Sequence, residues 1–179
     1  MNALLALARF IDALNEKVGR LVMWLVLAAT LVSSGNALVR YGLKTSSNAW
    51  LELQWYFFGA LFLLASGYTL KHNGHVRIDI LYGRLSAKSQ ALIDLIGALV
   101  FLLPICGLMV WLAWPMFTLS FFSGEMSSDA GGLIRWPIKL MIPLGFALLF
   151  LQGIAEVIKR LAVLSGHLEL PTEKPVEEV

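Results

Sequence analysis

Histidine and cysteine are the first candidates for chemistry in this sequence, because these side chains bind haem and metals or act as nucleophiles. The three histidines are His72, His75 and His167, and the single cysteine is Cys106. All three histidines lie outside the long apolar runs, so none can be an axial ligand for haem at membrane depth. His72 and His75 have no cysteine nearby to complete a metal site, and Cys106 lacks the electropositive setting of a reactive thiol. We predict no catalytic residue, metal or cofactor.

Carboxylates could couple transport to ions, but they avoid the interiors of the apolar runs. Glu52, Asp94 and Glu156 each lie within about one helical turn of the end of a run. A charge at mid-membrane is costly and is retained chiefly for function. The sequence therefore predicts that this chain is not a self-sufficient pump or secondary transporter.

The composition indicates a membrane protein. The 179 residues are 58% hydrophobic, and the mean hydropathy is +0.74. Only 15% of the residues are charged, whereas an average soluble domain has roughly 25%. The net charge is +2. The basic residues do not form a row of Lys and Arg with interleaved aromatics, however, so we expect no nucleic-acid partner.

Four apolar runs are long enough to cross a hydrocarbon core of about 30 Å. We predict one membrane domain over residues 1–165, with spans at about 19–40, 50–70, 90–114 and 137–158. The third run is too long for one straight crossing, so we expect a kink near Pro104 and an end to the span before Pro115. Residues 166–179 are rich in glutamate, and we expect a disordered cytoplasmic tail there.

Two further segments are amphipathic but too short to cross. In the first, apolar side chains recur every three or four residues at Leu4, Leu7, Ile11, Leu14 and Val18. The second is Val76 to Leu85, which joins the second and third spans. Both are predicted to lie on the membrane surface in contact with lipid. The expected fold is all-α, with four transmembrane helices and two amphipathic surface helices.

The basic residues predict the orientation. If the N-terminus is cytoplasmic, ten of the fourteen Lys and Arg residues lie on that side, and the other four are Arg40, Lys44, Arg135 and Lys139. Positive charge favours the cytoplasmic side. We therefore predict a bacterial inner-membrane protein with both ends in the cytoplasm.

Three motifs lie at the ends of the spans and in the loops between them. The first comprises Asn36, Arg40, Tyr41, Trp50 and Glu52, the second is the run from Gly74 to Ile80, and the third lies between Gly124 and Lys139. Together they resemble the small membrane subunit of tripartite ATP-independent periplasmic (TRAP) transporters, the DctQ-type small permease, whose Gly-His-Ile-Arg-Val-Asp stretch is similar to the second motif. One departure is Leu51, since many members have two adjacent acids at the start of the second span.

The resemblance implies a transporter of several subunits. Its partners would be a large membrane subunit, which holds the sodium and substrate sites, and a periplasmic substrate-binding protein. Organic acids would be the substrates, and this chain would be a scaffold without catalytic activity. An alternative is the membrane anchor of a respiratory or other membrane-bound enzyme, and a third is a small self-associating exporter, which would need a mid-membrane acid.

Two groups of residues are candidates for these roles. As subunit-interface or structural residues we predict Asn36, Arg40, Glu52, His75, Arg77 and Asp79. The last three would form a lock at the inner surface, because Arg77 and Asp79 can bond helix ends or a partner helix. For docking of the binding protein we predict Glu125, Asp129 and Arg135, whose mixed charges suit complementary pairing.

Overall fold

A computed structural model describes residues 1–45, 47–75, 82–83 and 85–168 of the chain. The chain is all-α, and four helical segments are long and apolar enough to cross a membrane. Both findings confirm the predicted fold class. Among the described residues, the β contacts are limited to one isolated bridge between Met126 and Ile134.

Seven α-helices and one π-helical turn make up the four segments. The first segment contains α1 (Asn2–Val22) and α2 (Trp24–Leu43), and the second contains α3 (Asn48–Leu64) and α4 (Ser66–Lys71). The third contains α5 (Ala87–Gly97), the π turn Ala98–Leu102 and α6 (Leu103–Ser123). The fourth is the single helix α7 (Trp136–Leu164).

Helix α7 is the centre of the bundle, since it contacts α1, α3, α4, α5 and α6. Small residues make up much of the face that α7 buries against the other helices. A Cβ at Gly145 would lie 2.7 Å from the carbonyl oxygen of Leu63, and Ala155 and Ala162 are fully buried. Small residues allow helix backbones to approach closely, which is how helices associate where lipid removes the hydrophobic driving force.

The N-terminal helix α1 packs against the bundle. Its buried residues are Ala8, Ile11, Asn15, Gly19 and Val22. Ala8 and Ile11 pack on Ala155 and Ile158, whereas Asn15 meets Gln152, so α1 and α7 run in opposite directions here. The position of α1 relative to the lipid surface stays a prediction.

The third segment has a π-helical turn next to Pro104, where the sequence predicts a kink. Pro104 has no N–H to donate to the carbonyl of Val100, and Val100 lies inside the π turn. The wider turn takes up the missing hydrogen bond before the helix continues. The helix passes through Pro115 to Ser123 and stops at Gly124, whose φ of 61° is left-handed. The end of the membrane span before Pro115 stays a prediction.

Two predicted segments cannot be described in full. The inner-loop helix from Val76 to Leu85 lies largely outside the described residues, which there include only residues 82, 83 and 85. Of the predicted tail, residues 169–179 are outside them as well. Both remain predictions.

Candidate functional site

Glu52 is the centre of the candidate site. It lies in the second turn of α3, and with 3% exposure it is the one buried charged residue in the described part of the chain. Its carboxylate accepts hydrogen bonds from the Ser127 hydroxyl, from the Leu133 N–H at 2.6 Å and from the Arg135 guanidinium at 3.3 Å. A buried carboxylate therefore has three donors, all from the loop between α6 and α7.

The loop Gly124–Arg135 is closed on itself by backbone hydrogen bonds. The N–H of Ser127 donates to the carbonyl of Leu133 at 2.9 Å, and the N–H of Arg135 donates to the carbonyl of Glu125 at 2.8 Å. At the tip, the N–H of Gly132 donates to the carbonyl of Asp129 at 3.0 Å. The loop has a defined conformation without being part of a sheet.

One face of α3 holds this loop at three points. The Asn48 amide donates to the carbonyl of Ala130 at 3.0 Å, Glu52 binds the loop as described, and the Tyr56 hydroxyl donates to the carbonyl of Ile134 at 3.1 Å. Residues four apart lie above one another on a helix, so these three side chains form a single polar row. That spacing was visible in the sequence, but its partners were not.

Arg135 supports the same network from the loop side. Its guanidinium donates to the Ser127 hydroxyl at 2.8 Å and lies 5.2 Å from the centre of the Trp55 ring, close enough for a cation–π contact. Its side chain is 19% exposed. Arg135, predicted as a docking residue, is thus bonded within its own chain.

The other two predicted docking residues are more accessible. Glu125 pairs with Lys139 of α7, and this hydrogen bond holds the pKa of Glu125 below its ordinary value. Asp129 is exposed, and its carboxylate has no partner among the described residues. Asp129 is therefore the freest charge of the loop.

Gly132 is required by the close contact between the loop and α3. A Cβ there would lie 2.4 Å from the Ser127 Cβ and 2.8 Å from Glu52 Oε1. Any side chain at this position would push apart the groups that bind the Glu52 carboxylate.

Asn36 and Arg40 lie on α2, which is the least buried of the long helices. Ala29 is its single buried residue. Asn36 is half-buried in a groove of about 560 Å³ that α2 forms with Trp50 at the start of α3. Arg40 is exposed. Among the described residues, no hydrogen bond or ion pair joins Asn36 or Arg40 to Glu52 or the loop.

The predicted inner-surface lock is described only in part. His75 is exposed, and Arg77 and Asp79 lie outside the described residues. The neighbouring His72 bonds Glu16 of α1 at 2.8 Å, and Lys71 bonds the same carboxylate oxygen at 2.8 Å. The structure thus ties α4 to α1 through Lys71 and Glu16, which the sequence analysis did not single out, and through His72, which it considered only as a metal or haem ligand.

A second polar cluster joins α1 to α7. The Asn15 amide donates to Gln152 at 3.0 Å, and both residues are fully buried. Gln152 also donates to Asp12 at 2.7 Å, and Asp12 pairs with Lys159 at 3.2 Å. The signal for this cluster was an amide within the apolar run of α7. Among the described residues, no group of three His, Cys, Asp or Glu is placed to hold a metal.

Four long helical segments and the Glu52-bound loop between the last two define the fold. Comparison with known protein families then decides which family this chain belongs to. The family model described as "Tripartite ATP-independent periplasmic transporters, DctQ component" matches residues 29–163. This chain belongs to the DctQ family. The match covers α3, α7 and the Glu52-bound loop, whereas α1 lies outside it.

A curated relative agrees with this membership. It is the C4-dicarboxylate TRAP transporter small permease protein DctQ of Pseudomonas aeruginosa, which is 29% identical over 106 residues. The alignment covers 58% of this chain and 50% of the relative, so the DctQ-family chain matches about half the relative's length. No solved structure matches the chain. The chain is thus a transmembrane TRAP small permease, as the resemblance predicted.

Proposed function

We propose that this DctQ-family chain is a non-catalytic scaffold of a sodium-coupled, binding-protein-dependent transporter for organic acids. It stabilises the large membrane subunit and helps to dock the periplasmic binding protein. The observation that carries this proposal is the loop Gly124–Arg135, which three side chains of α3 hold in one conformation. A loop that is ordered before binding loses little conformational entropy when a partner docks.

Free charge on the fixed loop supports a docking role. Asp129 is exposed without a partner in the described chain, and Glu125 lies nearby with a partly exposed carboxylate. Charges at the rim of an interface steer encounter and select partners more than they add affinity. Arg135, by contrast, acts here as a positioning residue.

The exposed polar face of α2 supports contact with a large membrane subunit. Ser33, Ser34 and Arg40 are exposed, and Asn36 lies half-buried in the groove beside Trp50. Polar groups facing lipid are costly, so such groups in membrane helices usually meet another helix. The lock formed by His75, Arg77 and Asp79 is proposed as a further contact, at the cytoplasmic surface.

Transport chemistry is assigned to the partner. The buried carboxylate of Glu52 is used entirely for holding the loop, and no described helix has an unpaired acid in its interior. An ion-coupling site needs ionisable or carbonyl ligands that are free to bind the ion.

The C4-dicarboxylate named for the relative supports organic acids as the substrate class. We propose the bacterial inner membrane as the location, with both termini cytoplasmic.

The experiment is reconstitution into liposomes with and without a large TRAP membrane subunit from the same organism. The chain alone should move no organic acid. With the large subunit, the binding protein and a sodium gradient, uptake should appear. Asp129→Lys should raise the binding-protein concentration for half-maximal uptake about fivefold, as expected for loss of about 1 kcal/mol at an interface rim. Asp129→Asn should give a smaller effect.

Lys88→Glu is the matched control, since Lys88 is an exposed charge in α5, on a different segment from the loop. It should leave the binding-protein dependence unchanged. Sodium-driven uptake by this chain alone would refute the scaffold role. An altered sodium dependence in the Asp129 variants would show that the loop belongs to the transport path and does not dock a partner.

A further inference from the structure

The N-terminal helix α1 carries a row of three basic side chains, two of which have no partner among the described residues. Arg9, Lys17 and Arg20 follow one another at spacings that place them on one side of the helix, with Ala13 between the first two. Arg9 and Lys17 are exposed and have no partner among residues 1–45, 47–75, 82–83 and 85–168. Arg20 donates to Glu16 at 2.8 Å.

The acids beside this row are already paired. Asp12 bonds Lys159 at 3.2 Å, and Glu16 bonds Lys71 at 2.8 Å. They share with the basic row a groove of about 480 Å³, lined by Arg9, Asp12, Ala13, Glu16, Lys17, Arg20 and Lys71. Four basic and two acidic side chains line it, so two positive charges are in excess. The groove is suited to an anion and repels a further cation.

An apolar row runs alongside the basic one. Phe10 is 67% exposed and Leu21 is 70% exposed, and Leu14 lies between them on the same side of α1. Lys17 is close to both rows, since it lies three residues from Leu14 and four from Leu21. A ligand with both a negative group and an apolar body would match this pair of rows, whereas a free anion would use only the first.

We propose that this groove binds the phosphate headgroup of one anionic phospholipid. Arg9 and Lys17 donate to the phosphate oxygens, and the small side chain of Ala13 leaves room for the headgroup between them. The acyl chains lie along Phe10 and Leu21. This site is on α1, outside the part of the chain that matches the DctQ family, and it is independent of the proposed docking loop and of the predicted orientation.

The test uses the full chain in a neutral detergent, titrated with phosphatidylglycerol, with bound lipid counted by native mass spectrometry. The double variant Arg9→Gln, Lys17→Gln should raise the apparent Kd about twenty-five-fold, because each basic group near an anionic lipid contributes a factor of about five. Lys88→Gln removes an exposed charge from a different helix and should leave the Kd unchanged. Phosphatidylcholine should bind far more weakly than phosphatidylglycerol.

Two further measurements use the variant Ala13→Glu and inorganic phosphate. Ala13→Glu places an acid between Arg9 and Lys17 without touching the Asp12 or Glu16 pairs, and it should abolish retention of phosphatidylglycerol while the helical circular dichroism is kept. Inorganic phosphate should neither form an adduct nor displace the lipid. The proposal fails if the double variant binds phosphatidylglycerol normally, if phosphatidylcholine binds equally well, or if inorganic phosphate alone occupies the site.

Discussion

At the scale of single residues, Glu52 shows what a sequence can and cannot give. Its place at the start of a predicted span and in a family-like motif marked it as a structural residue. Its donors lie 75 to 83 residues later in the chain. A local pattern cannot identify partners at such a separation, so the same loop charges were predicted to serve docking alone. Arg135 also holds the loop, through its hydrogen bonds to Glu52 and Ser127.

The departure at Leu51 also acquires a physical meaning. Leu51 is 42% exposed, whereas the adjacent Glu52 is buried against the loop. Neighbouring residues on a helix point about 100° apart, so an acid at position 51 would point away from Ser127 and Leu133. The loop in this chain needs only one carboxylate.

Gly132 gives the residue-scale prediction. Gly132→Ala should lower the free energy of unfolding by about 1–3 kcal/mol, because the added methyl group would overlap Ser127 and the Glu52 carboxylate. Gly97→Ala is the control, since a Cβ at this helical glycine would meet nothing within 4 Å. It should be neutral or slightly stabilising. Unfolding in denaturing detergent, followed by circular dichroism, measures both, and equal behaviour of the two variants would contradict the close fit of the loop.

At the scale of helices, periodicity predicted the existence of α1 but not the face that packs on the bundle. Leu4 and Leu7 of the predicted lipid-facing stripe are exposed, and the residues buried against the other helices include Ala8, Asn15 and Gly19. Hydropathy marks large apolar side chains, but a bundle selects small ones at close helix contacts. A Cβ at Gly67 of α4 would come within 2.1 Å of Asn15 Oδ1. Such a fit depends on the tertiary structure and leaves no local signal.

The two prolines of the third segment, Pro104 and Pro115, also differ in how far local sequence predicts their effect. The π turn next to Pro104 follows from local chemistry, since a missing N–H must be accommodated within one turn. The end of the span expected before Pro115 depended on membrane thickness, not on the proline itself. Helix α6 continues to Ser123 and packs along α7. Where the hydrocarbon core ends along α6 stays a prediction.

The amide pair between α1 and α7 gives the prediction at this scale. Asn15→Leu and Gln152→Met should each destabilise the chain by about 1–3 kcal/mol, because each removes the hydrogen bond that joins the two buried amides. The double variant should lose less than the sum, with a coupling of about 0.6–1.7 kcal/mol, as for hydrogen bonds between membrane helices. Reversible unfolding in mixed micelles measures the cycle.

A second cycle controls for general loosening of the bundle. It pairs Asn15→Leu with Thr118→Val, because Thr118 is a hydroxyl residue of α6 whose side chain bonds the carbonyl of Pro115 in its own helix. These two changes should be additive, since the residues share no partner. Coupling of equal size in both cycles would mean that the Asn15 to Gln152 hydrogen bond does not join α1 to α7.

For the whole molecule, composition and run length were enough to predict an all-α protein with four membrane-crossing segments. The reason is physical: lipid offers no hydrogen bonds to the backbone, so an apolar run of sufficient length has the helix as its main solution. The family followed from ordered motifs, and the match over residues 29–163 confirms it. The folding of the 124–135 loop onto α3 did not follow, because it depends on how two distant segments pack.

The orientation is the remaining prediction for the whole molecule, and it follows from the excess of Lys and Arg on one side. In a Cys106→Ala background, single cysteines at Ser47 and Ser127 should react with a membrane-impermeant maleimide in intact spheroplasts, whereas one at Ser86 should react only after lysis. The Ser127→Cys variant must also be tested for correct folding, since the Ser127 hydroxyl bonds Glu52. Ser128→Cys avoids that contact and should be labelled equally well. Labelling of Ser86→Cys before lysis, with Ser47→Cys protected, would show that the chain is inserted the other way round, and the loop held by Glu52 would then face the cytoplasm, where no periplasmic protein can dock.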